Sequence, residues 1–185
     1  MTRTISSRTK GRAILFILSV ILLISVSLAS ADWNSISPPT ISGNWSLNGV
    51  IFPSATEGWA FGNDVINQRG VLLHYIGGAW NNVTPPAVSN HWWLQGVVFP
   101  SATEGWAFGN DVTNHRGVLL HYISGAWNNV TPPAVSRNWW LQGVVFPSTT
   151  EGWAVGNDLK NHRGSLLHYT GKLNSVSVST LTKGK

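Results

Sequence analysis

Cysteine is missing from all 185 residues, so no disulfide staples the chain. Charge is scarce too: Asp, Glu, Lys and Arg together make up 10% of the sequence. After residue 31 no stretch shows the 3.6-residue apolar period with caps that marks a helix. The excess of basic over acidic residues, with a pI near 10.0, would suggest a nucleic-acid or anionic-lipid partner. That excess sits almost wholly at the N-terminus. Residues 1–12 hold Arg3, Arg8, Lys10 and Arg12 and no acid, whereas residues 32–185 carry eight basic residues against seven acidic ones. Nucleic acid is therefore not an expected partner.

An apolar run, AILFILSVILLISVSL, fills 13–28 and is followed by Ala-Ser-Ala at 29–31. A basic start, an apolar core and a small-x-small site describe a secretory signal peptide cleaved after Ala31. The run is also close to the length of an uncleaved membrane anchor. Either way the remainder is expected outside the cytoplasm, secreted or periplasmic, because the basic flank stays inside. With no cysteine after the run, a bacterial lipoprotein is excluded.

What the chain has in quantity is tryptophan, 11 residues, and repetition. SATEGWAFGND at 54–64 recurs unchanged at 101–111 and as STTEGWAVGND at 148–158. Gly58, Gly105 and Gly152 are 47 residues apart, as are Trp45, Trp92 and Trp139. Between 47–86 and 94–133 only five of forty positions differ. The third copy loosens at its end, and WNSISPP at 33–39 resembles WNNVTPP at 80–86. Within one copy, WLQGVVF (93–99), GWAFGN (105–110), GVLLHYI (117–123) and AWNNVT (126–131) are short apolar stretches between turn signals. Alternation sends Trp106 and Phe108 to one face and Ala107 and Gly109 to the other. Four strands per repeat of this length is the period of a β-propeller blade. The expected fold is all-β, with three four-stranded propeller-like blades in residues 32–178 (copies about 33–79, 80–126 and 127–173) and a flexible basic tail at 179–185. Three blades are fewer than a propeller ring needs. The expected remedy is an open stack or self-association, such as two chains forming a six-bladed ring.

The run V-x-F-P-S-x-x-E-G-W-A-x-G-N, then L-L-H-Y, then G-x-W, resembles the repeats of the photosystem II assembly-factor propellers. It is also similar to bacterial neuraminidase-type (BNR, Asp-box-like) repeats. The resemblance covers 33–178 and implies a propeller and an assembly or binding role. An Asp-box would read Asp-Gly-Gly-x-Thr-Trp, but here the turns are IGGAW (76–80) and ISGAW (123–127), without the acid.

Four groups are candidate sites. Glu57, Glu104 and Glu151 are expected to be solvated or backbone-bonding turn residues, because glycoside hydrolysis needs two carboxylates around one substrate. No catalytic residue is expected, and the arginine cluster and tyrosine nucleophile of sialidases find no match. The loops ending N-D-V-T-N-H-R-G (110–117) and N-D-L-K-N-H-R-G (157–164) offer Asp111, His115, Arg116, Asp158, His162 and Arg163 as a variable binding rim. In the bland reading Asp111 pairs with Arg116 or caps loop amides. His74, His121 and His168 would suit zinc only if brought together; they are expected to be structural, at a strand edge. Trp93 and Trp140 replace Ser46 and could be stacking platforms, or could fill the gap between blades 2 and 3. The expected function is non-catalytic: a binding or assembly scaffold with no cofactor and no metal, its partner a protein or a glycan. The alternatives are an extracellular carbohydrate-binding protein with Trp93 and Trp140 as platforms, and an inactive relative of neuraminidase-type glycosidases.

Overall fold

The computed structural model describes residues 31–171. The chain divides into two compact units, Met1–Ile36 and Ser37–Lys185. The expected signal or anchor segment (apart from Ala31) and the 179–185 tail lie outside the described residues. The described part of the second unit is built entirely from antiparallel strands.

Its eleven strands form three sheets. The first holds β1 (Trp45–Ile51), β2 (Gly58–Asp64), β3 (Arg69–Ile76) and β4 (Ala79–Val83) in sequence order. The second repeats it with β5 (Trp92–Val98), β6 (Gly105–Asp111), β7 (Arg116–Ile123) and β8 (Ala126–Val130). The third holds β9 (Trp139–Ser148), β10 (Glu151–Asp158) and β11 (Arg163–Thr170), so among the described residues it has three strands where four were expected. Each sheet begins at a Trp-containing strand, 45, 92 or 139. A repeat counted from residue 33 is therefore out of phase, because it assigns β4 to the following unit.

Pairing within a sheet follows from period-2 patterning. Trp59 lies opposite His74 and Phe61 opposite Leu72, while Ala60 lies opposite Leu73, so two distinct faces arise. A bulge between Leu47 and Gly49, repeated between Leu94 and Gly96, offsets the innermost strand. The glycine opposite it is obligatory: a Cβ on Gly62 would lie 1.8 Å from the Ser46 carbonyl oxygen, and one on Gly109 1.8 Å from that of Trp93.

The core is between sheets. Trp59, Phe61 and Leu72 of the first pack against Trp92, Leu94 and Leu120 of the second. Phe108 of the second packs against Trp139, Leu141 and Ala154 of the third. Trp59 and Phe61 thus face the neighbouring sheet from the one face on which alternation placed their counterparts Trp106 and Phe108. Full burial of one such side chain contributes about 1.5–3 kcal/mol, so each interface is a substantial share of the stability. The middle sheet is covered on both faces, and β6 is buried at every position. The outer sheets expose Val50 at one end and Val155 and Leu166 at the other, although Ala60, Val71 and Leu73 on the outward face of the first sheet are buried with Ile41, Trp45 and Trp80 packed against them.

Polar joints register the sheets. Asn63 Oδ1 accepts from the Leu94 N–H at 2.8 Å, and its Nδ2 donates to the Leu94 carbonyl at 3.2 Å. Asn110 clasps Leu141 in the same way, at 2.8 and 3.1 Å. A second latch explains an unfavourable backbone. Gln68, His115 and His162 are non-glycine residues at φ 52–53°, a conformation costing roughly 1–2 kcal/mol. The turn aims the Gln68 carbonyl at the Trp92 N–H and the His115 carbonyl at the Trp139 N–H, each at 3.0 Å.

The Asn clasp yields a quantitative expectation. Asn110→Ala strips both partners from the buried Leu141 amide and should cost about 2–3 kcal/mol. Chemical denaturation of the variant against the parent measures this; a change below about 0.5 kcal/mol would show that the clasp does not register the sheets.

Candidate functional site

Two recurrent polar constellations and one cleft account for the candidate residues. In the first constellation, each β2–β3-type hairpin is closed by an aspartate. Asp64 accepts from the Asn67 backbone N–H at 3.1 Å, from Asn67 Nδ2 at 2.6 Å and from the Ser42 hydroxyl at 2.8 Å. Asp111 repeats this with Asn114 and Ser89. Asp158 does so with Asn161. Arg69, Arg116 and Arg163 lie 3.9, 3.4 and 3.1 Å from these carboxylates. All three aspartates are fully buried.

Burial alone pushes the Asp64 and Asp111 carboxyls up, but the amide, hydroxyl and arginine partners outweigh it and hold both below the usual range. For Asp158 the Asn161 amide is the largest influence, and the carboxyl is held far below that range. Asp111 therefore does what the bland reading assigned it, pairing with Arg116 and capping the loop amides, and Asp158 does the same with Arg163 and Asn161. The aspartate oxygens are enclosed and already engaged by these partners. The rim presents instead the exposed His115 and His162 at the turn tips, with Arg116 and Arg163 beside them.

The second constellation was missed by turn chemistry. Glu57 does act as a turn residue, its N–H donating to the Ser54 hydroxyl at 3.0 Å. Its carboxylate is part-exposed, as expected, and bonds a side chain: Oε1 meets His74 Nε2 at 2.8 Å, and the imidazole stacks on Trp59 at 4.1 Å. Glu104, His121 and Trp106 repeat the trio at 2.9 and 4.1 Å. In the third copy the Glu151–His168 separation opens to 3.6 Å, though His168 still stacks on Trp153 at 4.0 Å. The signal lay in the sequence as a Glu and a His kept 17 residues apart in all three copies. His74 and His121 are flanked by strands on both sides, which corrects their expected place at a strand edge. The three histidines belong to three sheets. Among the described residues no group of three or more His, Asp or Glu side chains is placed to hold a metal.

The cleft is an open depression of about 680 Å³ along the inner strands β1, β5 and β9, lined by Ser46, Asn48, Asn63, Trp93, Gln95 and Gln142 with Val65 and Leu94. Its polar groups are amides and a hydroxyl, and no ionisable side chain lines it. Trp93 is half-buried, edge-on to His91 at 4.9 Å. It stands on the face that packs on the third sheet and also borders the cleft, so gap-filling and platform are one position. Trp140 is half-buried, does not line the cleft, and has its indole N–H enclosed without a hydrogen-bond partner.

No family model matches the chain, and no curated protein and no solved structure matches it.

The buried aspartates generate a pH dependence. Their folded pKa values lie below the unfolded value of about 3.9, so their stabilisation is complete above pH 4 and is lost as pH falls toward the folded values. Urea midpoints should therefore hold steady from pH 7 to about pH 5 and fall below about pH 4. Asp111→Asn keeps one acceptor oxygen for the Ser89 hydroxyl and the Asn114 N–H but puts an NH2 donor against the Asn114 side-chain amide and Arg116. It should lose about 1–3 kcal/mol at pH 7 and flatten the acid limb. An Asp111→Asn variant with the parent's full acid dependence would show that this carboxylate is not its source.

Proposed function

We propose that the protein is an exported, non-catalytic blade-repeat scaffold that acts by binding, with the cleft around Trp93 as its ligand site. The observation that carries this is the composition of the cleft: one half-buried indole among Asn48, Asn63, Gln95, Gln142 and Ser46, with no charge. Such a lining suits a neutral, hydroxyl-rich ligand, whose apolar face stacks on tryptophan while its hydroxyls bond the amides. A glycan is the ligand class with that chemistry. The carbohydrate-binding reading is therefore favoured among the scaffold's options, with Trp93 rather than Trp140 as the platform.

The acids support a non-catalytic role. Glu57, Glu104 and Glu151 sit in repeat-equivalent pairs with histidine, and Asp64, Asp111 and Asp158 in repeat-equivalent turns. Acid–base catalysis of glycoside cleavage requires two differentiated carboxylates at one place. Export rests on the basic start and apolar run at 13–28.

A glycan array probed with the protein should show selective binding, reduced tenfold or more by Trp93→Ala and unchanged by Trp140→Ala. Binding indifferent to Trp93→Ala, or no binding on the array, would overturn the glycan assignment.

A further inference from the structure

Between the second and third sheets lies an apolar cavity of about 180 Å³, lined in part by Trp106, Phe146 and Tyr169. The corresponding place between the first and second sheets is filled by Trp127 of β8. Its ring centre lies 5.3 Å from Trp59, 6.1 Å from Phe99 and 5.2 Å from Tyr122. Those three residues stand 47 positions before Trp106, Phe146 and Tyr169. The cavity thus has the lining of a seat for a fourth-strand tryptophan. The chain position in phase with Trp127 is Asn174, whose amide does not match an apolar seat.

A tryptophan in that phase stands at the other end of the chain. Trp33-Asn34-Ser35-Ile36 precedes Trp80-Asn81-Asn82-Val83 of β4 by 47 residues. The Trp33 side chain is fully exposed. Residues 37–44 then lead to β1 as residues 84–91 lead from β4 to β5. In sequence, then, a fourth strand stands ahead of the first sheet and belongs to the sheet that would precede it.

The joint is unmade at both ends. Asn157 is the third member of the Asn63–Asn110 series and is exposed, and a Cβ on Gly164 would meet nothing within 4 Å. By contrast, Cβ atoms on Gly70 and Gly117 would lie 2.6 and 2.7 Å from Trp92 and Trp139 of the next sheet. At the other end Leu47 is 41% exposed, whereas its counterparts Leu94 and Leu141 are 0% exposed.

We propose that a second copy of this chain docks head to tail on the third sheet. Its residues 33–36 run along β11 as a fourth strand, with its Trp33 in the cavity. Its β1 covers Val155 and Leu166, and its Leu47 amide is clasped by Asn157. Reciprocal docking closes two chains into one ring of six blades, within the range of roughly four to eight at which propellers close. A chain's own segment does not serve, because that would close a ring of three. The proposal is independent of the glycan reading, since it concerns the sheet faces and the cavity.

The absence of native cysteine permits a direct test. The β3–β4 register pairs Leu72 with Val83, which places Leu166 of one copy opposite Ile36 of the other. The full chain carrying Leu166→Cys and Ile36→Cys, purified in mild detergent and gently oxidised, should run as a covalent dimer; each single variant should not. A disulfide formed within one chain, no disulfide, or a ladder of larger species would overturn the two-chain ring. Trp33→Ala should weaken dimerisation roughly thirtyfold or more with an unchanged circular dichroism spectrum, because Trp33 is fully exposed in the single chain. Light scattering reads the mass, and a Trp33→Ala variant as dimeric as the parent would remove Trp33 from the cavity.

Discussion

The structure depends on a two-point hydrogen bond between an asparagine and the backbone of the next sheet. A stack of sheets joined only by apolar side chains could slide, because hydrophobic burial is non-directional. The Asn63–Leu94 and Asn110–Leu141 clasps supply the missing direction, each using one acceptor and one donor on a single amide. Once a clasp is set, the indoles of Trp92 and Trp139 come down over Gly70 and Gly117, where no larger residue fits. The same registration lets the Gln68 and His115 carbonyls reach the next sheet, which offsets their left-handed backbone. Apolar packing, glycine placement and turn strain thus answer to one polar joint.

Much of this architecture was legible in the sequence, for a physical reason. A 47-residue identity forces equivalent residues into equivalent places, so recognising one unit recognises three. Trp106 and Phe108 declared their face through period-2 alternation, and the strand bounds fell close to the apolar stretches. The phase of the unit was less legible: a repeat has no intrinsic start, and only strand pairing shows that β4 belongs with β1. Among the described residues the third sheet has three strands, and the sequence after Thr170 no longer follows the repeat.

The polar chemistry was legible in part. A turn aspartate with an arginine five residues on predicts pairing and capping, and the hairpins hold Asp111 and Arg116 in that way. The Glu57–His74 pair escaped because each residue was weighed on its own strand. Antiparallel pairing sets His74 against Trp59, and stacking on that indole directs the ring nitrogen to the carboxylate. Trp93 could not be resolved into platform or filler, because on the inner strand it lies opposite Asn110, on the face turned to the third sheet, and borders an open cleft at once.

The clasp also bears on how such a chain can change in length. Its two halves, Asn63 and Leu94, are 31 residues apart, less than one repeat. Every stretch of 47 residues within the repeats carries one asparagine and one leucine position of the series, whatever the residue at which counting begins. Replication slippage by one repeat adds or removes a blade and leaves all other joints intact. The near-identity of 47–86 and 94–133 is the kind of sequence that such a duplication leaves behind.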